Sequence, residues 1–373
     1  MTANKAVLDR QRGFSLIELM VGVVIGLLTV LVITQVMTLA EGKKRTVSNG
    51  SDAQVNGALA LFTMQRDIEQ GGYGALANPD ALGCTVQYQF GGAGTLTTFP
   101  LAPVVITDGA SGAPDSITVL QGNTTNFSAP MLLTGNAKQT DDHFTVSSSF
   151  GASAGNLMIA VPSPWSAAAP CGLFSVTNDT TPTTATLSTT NVPHVSGTSG
   201  ARQWNQSAVF PTTDIPSSSY LLNMGAMVLR TYAVSTAGNL TVSDLSLTDG
   251  STPTPDLYPQ IVNLQAMYGK DTLNTGAVDT YDNTTPTTNA GWKQVLAVRI
   301  AVVARSNQYE KDVVTTASPQ WDVGPTATIA GTATCNGSSK CLTLDVSKLT
   351  DWQHYRYKVY DTIVPLRNMF WNK

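Results

Sequence analysis

The longest apolar run of the chain lies near its amino terminus. From Leu19 to Ala40, 22 residues pass without a charged side chain and without proline. As an α-helix this run would be about 33 Å long, which matches the hydrocarbon core of a bilayer. A cleaved secretory signal fits less well, because its apolar core has about 7–15 residues and ends at a small-residue cleavage site. The pattern therefore predicts a membrane-spanning helix.

Apolar residues at helical spacing continue beyond this run. They recur at intervals of three and four residues, which predicts a helix face that packs on a core. The positions form two neighbouring rows, Val55, Leu59 and Phe62, and Leu61, Met64 and Ile68. Asp67 falls off these rows, and the segment Gly71-Gly72-Tyr73-Gly74 ends the helix. One helix of roughly 55 residues is thus expected. Its first half anchors the chain in the membrane, and its second half covers a soluble domain.

The rest of the chain reads as β-structure. Short β-type runs lie between Gly, Pro, Asn and Asp clusters, at residues 116–120, 144–148, 156–161 and 227–234. Residues 261–269, 295–305 and 354–361 alternate apolar and polar positions, which predicts an antiparallel sheet with one polar face, packed on the helix. The Thr, Ser, Pro and Asn-rich stretches 178–219 and 271–291 predict surface loops. The expected fold class is α+β, a long N-terminal helix on an antiparallel sheet within an enlarged β-rich domain.

Composition and charge narrow the possible partners. Charged residues make up 12% of the chain, and the formal net charge is −4. Nothing in this balance favours a polyanion, so nucleic acid is not expected as a direct partner. A chain poor in charge and rich in Thr, Ser and Val is typical of an extracytoplasmic β-rich protein.

The four cysteines indicate disulfides. In an oxidising compartment an even number predicts two bridges, with three possible connectivities. The segment CNGSSKC places Cys335 and Cys341 at the ends of a short loop, which favours a local bridge and leaves Cys84 with Cys171. A zinc site is disfavoured because there is no C-x-x-C pair and no histidine at ligand spacing.

Two motifs are similar to functional sites, one to a hydrolase nucleophile and one to a calcium loop, and the surrounding sequence disfavours both. The segment GASAG, residues 151–155, fits G-x-S-x-G with Ser153, and His354 lies downstream. That motif needs a helix after the turn, whereas the residues that follow read as a strand. Asp271, Asn274, Asp279 and Asp282 gather oxygens as calcium loops do, but the EF-hand spacing fails, and a polar loop is the better interpretation. We therefore expect no enzyme, no cofactor and no metal site.

One carboxylate near the start of the apolar helix needs an explanation. Glu18 lies only a few residues inside it, and an unpaired carboxylate costs about 2.5–3.5 kcal/mol near the centre of a bilayer. The segment RGFSLIELM, residues 12–20, resembles the class III signal of type IV prepilins and of type II secretion pseudopilins. The resemblance implies cleavage by a prepilin peptidase between Gly13 and Phe14 on the cytoplasmic side, then N-methylation of Phe14. It also implies that Glu18 pairs with the amine of a neighbouring subunit in the filament.

The later segments sharpen this resemblance. LQAMYGKD, VRIAVVARS and YRYKVYDTIVPLRNMFW are similar to the PilW family of minor pilins, whose relatives include the J-type pseudopilins of type II secretion. The implied fold is type IV pilin-like. The expected divisions are a cleaved leader at 1–13, a membrane helix half at 14–40, an amphipathic helix half at 41–72 and a β-rich domain at 73–373. Residues 75–255 show little that can be matched to the family.

The resemblance implies a non-catalytic assembly protein. It would be a minor pilin that primes pilus assembly at the tip and supports twitching motility, adhesion and DNA uptake. The implied partners are prepilin peptidase, the other minor pilins, the major pilin, a large tip adhesin and the inner-membrane assembly platform. The chain would lie in the inner membrane of a Gram-negative bacterium, with its C-terminal domain periplasmic, and then at the pilus tip. The alternatives are a J-type minor pseudopilin and a membrane-anchored adhesin.

Overall fold

The computed structural model describes residues 13–92, 94–109, 112–124 and 129–370, without the side chains of residues 43 and 45–52. Most of the predicted leader, residues 1–12, lies outside them. Two compact units divide the chain, Met1–Asp52 and Ala53–Lys373.

The long N-terminal helix is confirmed. Helix α1 spans Leu16–Gln70, 55 residues. It ends where the glycine segment begins, and Gly72 and Gly74 have φ angles of 83° and 79°. Residues with a Cβ rarely adopt these left-handed angles, so the two glycines allow the chain to turn directly after the helix.

The described strands form two larger sheets in the first part of the body. A six-stranded sheet has the order β2-β1-β8-β7-β10-β5, and a five-stranded sheet has the order β13-β12-β11-β4-β3. Pairing is antiparallel except between β1 and β8. The strands are β1 Thr85–Tyr88, β2 Thr97–Pro100, β3 Val104–Thr107, β4 Ser116–Gln121, β5 Met131–Leu132, β7 Leu157–Val161, β8 Cys171–Ser175, β10 Tyr220–Gly225, β11 Val228–Val234, β12 Leu240–Asp244 and β13 Asp256–Tyr258.

Three further sheets complete the described body. A four-stranded antiparallel sheet has the order β15-β14-β16-β20, a three-stranded sheet has the order β17-β19-β18, and β6 pairs with β9. Short helices lie between them. The elements are β6 His143–Thr145, β9 Asn191–Pro193, β14 Ile261–Lys270, β15 Thr280–Asp282, α2 Asn289–Lys293, β16 Val295–Arg305, β17 Gln320–Gly324, β18 Thr332–Asn336, β19 Ser339–Thr343, β20 Tyr357–Pro365 and α3 Arg367–Phe370.

The four-stranded sheet packs on the C-terminal part of α1, as expected. The helix face buried in this core consists of Ala53, Gly57, Ala60, Met64 and Ile68. A Cβ at Gly57 would lie 2.5 Å from the Tyr360 ring of β20. Small residues therefore let the helix backbone approach the sheet closely.

The predicted helix stripe is wrong in part. Val55, Leu59 and Phe62 are 54%, 44% and 64% exposed, whereas Met64 and Ile68 of the second row are buried. Periodicity favoured the large apolar side chains, but the sheet contacts the alanine and glycine positions, which carry little hydrophobic signal. The correction shifts the core-facing side of the helix by about two residues.

The prediction of a polar sheet face is also wrong. Strands β14 and β16 are buried along almost their whole length. One face contacts α1, and the other packs on the three-stranded sheet through Met267, Val303 and Trp321. This second layer comes from residues 320–343, so alternation within β14 and β16 could not reveal it.

Some predicted boundaries shift. The run 144–148 forms only the short strand β6, and the last predicted strand begins at Tyr357 rather than 354. The stretch 271–291 contains β15 and the start of α2. The stretch 178–219 contributes Trp204 and Phe210 to the core, so it is not a simple surface loop.

His194, in that same stretch, makes stability depend on pH. Its imidazole is buried beside Phe144, Phe174 and Phe210, with ring centroids 4.4–5.6 Å away, and its Nε2 has no hydrogen-bond partner among the described residues. Burial lowers the pKa of His194 from 6.5 to about 4. As pH falls below 6.5 the unfolded chain therefore binds a proton that the folded chain does not, and stability is lost down to about pH 4.

We expect His194→Phe to lose this part of the pH dependence. Between pH 7 and pH 5 the free energy of unfolding should fall by about 2 kcal/mol more in the natural chain than in the variant. Denaturant unfolding of the detergent-solubilised chain at both pH values measures this. A variant at His143, which is partly exposed, is the control. Parallel pH profiles for the natural chain and His194→Phe would contradict the assignment.

Candidate functional site

The predicted cleavage site is accessible in the described chain. Gly13 has no heavy atom within 4 Å of the position a Cβ would occupy, and Phe14 is 86% exposed. Both precede the first residue of α1. The peptide bond between them therefore lies in non-helical chain, where a peptidase can reach it.

Ser15 and Glu18 close the first turn of the helix. The Glu18 backbone N–H donates to Ser15 Oγ at 3.2 Å, and the Ser15 N–H donates to Glu18 Oε2 at 3.2 Å. This reciprocal pair is a capping box, which satisfies two N–H groups that a helix start otherwise leaves free. The helix dipole also favours an anion at this end. The S-x-x-E signal stands in the sequence and could have predicted this cap, but the resemblance drew attention only to the charge of Glu18.

The part of the helix from Leu19 to Ala40 is apolar and exposed along its length. Leu16–Gly42 is long and apolar enough to cross a membrane, and none of it is buried within the protein. Its three threonines, Thr29, Thr34 and Thr38, donate their hydroxyls to carbonyls one turn earlier. Internal satisfaction of this kind lowers the cost of a hydroxyl in lipid.

Both predicted disulfides are confirmed. Cys84–Cys171 joins residues 87 positions apart, and both cysteines are fully buried. Cys335–Cys341 closes the hairpin of β18 and β19. Among the described residues, one group with metal-ligand geometry occurs, and it consists of these two cysteines with Asp322. Because the cysteines are bonded to each other, neither offers a thiolate to a metal.

A partly buried ionic cluster joins α1 to the five-stranded sheet. Asp67 Oδ2 accepts from Arg230 Nη1 at 2.7 Å and from the Tyr232 hydroxyl at 2.6 Å. Arg230 also binds Asp244 through two hydrogen bonds of 2.7 and 2.8 Å. The hydrogen bonds to Asp244, and to a smaller extent the bond to Asp67, raise the pKa of Arg230. Burial raises the pKa of Tyr232. Because Asp67 lies off the predicted core rows, helical periodicity did not indicate this contact.

The hydrolase motif is not assembled in the described chain. Ser153 lies in an exposed turn, and strand β7 follows it where the motif needs a helix. His354 lies in a short 3-10 helix, with its Nδ1 2.8 Å from the carbonyl oxygen of Glu310. Nothing in these positions forms a nucleophile and base pair.

The candidate calcium loop is occupied by donors of the chain itself. Asp271 accepts two backbone N–H groups, from Thr275 and Gly276. Asp279 accepts from Leu273, and Asp282 pairs with a lysine. Asn274 has a φ of 53°. The carboxylates of this loop are therefore held by hydrogen bonds and an ion pair from the chain itself.

Comparison with known proteins gives two matches at opposite ends of the chain. Residues 8–34 match the prokaryotic N-terminal methylation motif, and residues 230–368 match the family described as Type IV Pilus-assembly protein W. No curated protein matches the chain. A solved type IV-like pilin from Thermus thermophilus aligns with 85% of this chain and 97% of its own, at 10% identity and a TM-score of 0.31. So low a TM-score carries no argument.

The methylation motif stands at the start of an exposed apolar helix, in a chain that also contains a β-rich domain; these features are similar to those of type IV pilins. Segment 230–368 is similar to the PilW family of type IV pilus-assembly proteins. The resemblance seen in the sequence is confirmed.

Proposed function

We propose that the chain is a minor pilin that primes assembly at the tip of a type IV pilus. Cleavage between Gly13 and Phe14 on the cytoplasmic side releases an amine on Phe14, which is then methylated. The observation that carries this proposal is the methylation motif placed on an exposed, membrane-length helix. The PilW match supports a pilus over a type II secretion role.

The proposed layout follows the helix. Residues 1–13 form the leader, 14–40 the membrane half, 41–72 the amphipathic half and 73–373 the domain outside the inner membrane. The two buried disulfide cysteines support an oxidising compartment for that domain, the periplasm of a Gram-negative cell. After assembly the chain lies at the pilus tip on the cell surface.

Glu18 is the residue that allows the chain to enter the filament. Its carboxylate is held at the N-terminal end of α1 by Ser15, where the helix dipole favours a negative charge. In the filament it pairs with the Phe14 amine of a neighbouring subunit. In a surrounding of low dielectric, removal of one member of such a pair strands the other charge at a cost of about 3–5 kcal/mol.

The remaining partners and roles follow from the tip position. The chain contacts the other minor pilins and the major pilin, and helps to present a large tip adhesin. The inner-membrane assembly platform receives it before extension. Twitching motility, adhesion and DNA uptake then depend on it through the number of pili, not through direct contact with DNA.

Variants at Glu18 test this proposal. We expect Glu18→Gln and Glu18→Ala both to be processed normally but to be depleted from sheared pili by about tenfold or more, because each lacks the charge. The number of surface pili should fall while the major pilin stays in the membrane. Immunoblots of sheared pili and electron microscopy measure these effects.

The glutamine variant separates charge from capping. Its side-chain oxygen can still accept the Ser15 N–H, so the capping box survives while the charge is lost. If Glu18→Gln enters pili as well as the natural chain and only Glu18→Ala fails, capping is the role of Glu18, and the charge pair is wrong. Unchanged pilus numbers in both variants would also count against the proposal.

A further inference from the structure

The last strand of the four-stranded sheet is an unusually long edge. Strand β20 has nine residues and pairs with β16 over nine consecutive positions without a bulge. Its other side pairs with no described strand or isolated bridge. The edge strands of the three-, five- and six-stranded sheets, and β15 at the opposite edge of this sheet, are only two to five residues long. Proteins usually keep edges short or covered, because an open edge is a template for another strand.

The free backbone groups of β20 can be identified from two hydrogen bonds. The Leu366 N–H donates to the carbonyl oxygen of Leu296, and the Ser306 N–H donates to the carbonyl oxygen of Arg356. Both bonds join residues that lie directly opposite each other when the β16–β20 register is continued. In an antiparallel pair the hydrogen-bonded positions alternate, so the even-numbered residues of β20 direct their backbone N–H and C=O groups towards β16. The odd-numbered residues, Tyr357, Val359, Asp361 and Ile363, therefore direct their N–H and C=O groups away from the sheet. In the described part of the chain these groups have no hydrogen-bond partner.

The side chains along the edge show what it would accept. Lys358 is exposed, lies over the ring of Tyr360 and has no ion pair among the described residues. Ile363 is 49% exposed on the opposite face. Asp361, on that same face, is already bound by Arg299 and Trp321. The edge thus offers one uncompensated positive charge and one uncovered apolar side chain.

Pro365 gives the edge an end. It stands at an odd-numbered, outward position, where it has no N–H to offer. Proline at such positions is a common way to terminate pairing at a sheet edge. The pairing surface therefore extends from Tyr357 to Ile363.

We propose that β20 receives an extended strand from a different polypeptide, as the fifth strand of this sheet. The strand carries an acidic residue opposite Lys358 and an apolar residue opposite Ile363. A second copy of β20 pairing antiparallel would place only lysine, tyrosine, threonine and valine on the Lys358 face, so it offers no acid there. This interface goes beyond the assembly role of the N-terminal helix and involves none of its residues.

Photo-crosslinking in the producing cells tests the interface. The full chain with Ile363→p-benzoylphenylalanine should form an adduct with a different protein, and the crosslinked peptide should be an extended segment with an acidic residue. Addition of Val359→Pro removes one outward N–H and should reduce the adduct by about tenfold or more. Val359→Thr, which keeps the N–H, is the matched control and should reduce it by less than about twofold. Lys358→Glu should also reduce it.

Three outcomes overturn the proposal: no adduct, an adduct with a second copy of the chain, or equal loss in the proline and threonine variants. Hydrogen exchange of the purified, detergent-solubilised full chain checks the edge independently of any variant. The amides of Val359, Asp361 and Ile363 should exchange faster than those of Tyr360 and Thr362. If the outward amides are already protected in the isolated chain, the edge is covered from within and the proposal fails. Cleavage at Phe14 should be normal in every variant, so this failure is distinct from that of the assembly proposal.

Discussion

Replacing Gly13 with valine is expected to leave the chain uncleaved and confined to the membrane. The position has open space around it, with no heavy atom within 4 Å of where a Cβ would lie and no left-handed backbone angle, so valine costs the folded chain nothing. Loss of cleavage would therefore report recognition by the peptidase. A misplaced scissile bond can slow an enzyme by about a hundredfold, which would leave almost no mature chain. Immunoblots for the leader in membranes and in sheared pili measure this.

A second glycine serves as the control for Gly13. Gly22 lies within α1 and, like Gly13, has no heavy atom within 4 Å of where its Cβ would lie. Gly22→Val should therefore be cleaved like the natural chain. Equal cleavage of the Gly13 and Gly22 variants would show that the peptidase does not read Gly13.

Replacing Asp67 with alanine is expected to destabilise the domain by about 3 kcal/mol. Asp67 is 8% exposed, and its loss leaves the Tyr232 hydroxyl without its acceptor and Arg230 with one of its two carboxylates. The cost lies at the lower end for a broken buried ion pair, because Asp244 still binds Arg230. Denaturant unfolding of the detergent-solubilised chain measures it.

Asp244 provides the matched control for Asp67. It binds the same arginine, but its side chain is 45% exposed. Asp244→Ala should cost less than about 1 kcal/mol, as surface ion pairs do. In a double-mutant cycle, Asp67→Ala and Tyr232→Phe should be clearly non-additive. A cost for Asp67→Ala no larger than for Asp244→Ala would contradict the role assigned to the buried carboxylate.

Features that depend on neighbouring residues could be predicted from the sequence. Helix α1 follows from a long apolar run and ends at Gly71-Gly72, because helix formation and termination are local. Alternation within 261–269 and within 295–305 predicts the strands Ile261–Lys270 and Val295–Arg305 for the same reason. Cys335–Cys341 closes a loop short enough to be seen in the sequence.

Features that depend on distant residues could not be predicted. The parallel pairing of β1 with β8 joins Val86 to Cys171, and no local pattern indicates it. The second buried face of β14 and β16 depends on the later strands 320–343. Asp67 looked like a surface residue because its partners, Arg230 and Tyr232, lie more than 160 positions away. Non-local contacts of this kind determine the structure of the β-rich domain, and above all that of residues 75–255.

The helix face shows a subtler limit. Large apolar residues dominate a helical periodicity, so Val55, Leu59 and Phe62 were assigned to the core. The sheet instead contacts Ala53, Gly57 and Ala60, where short side chains permit close approach. The role of Ser15 differs again, because the resemblance assigns Glu18 a partner in a neighbouring chain, whereas Ser15 is its capping partner within the helix.

The central claim is that an amine released on Phe14 and the carboxylate of Glu18 serve assembly into a filament. Mass spectrometry of the N-terminal peptide, from chain isolated in sheared pili, tests this claim most directly. The expected peptide begins at Phe14 and carries one methyl group on its amine. A peptide that still contains the first thirteen residues of the sequence would contradict the claim.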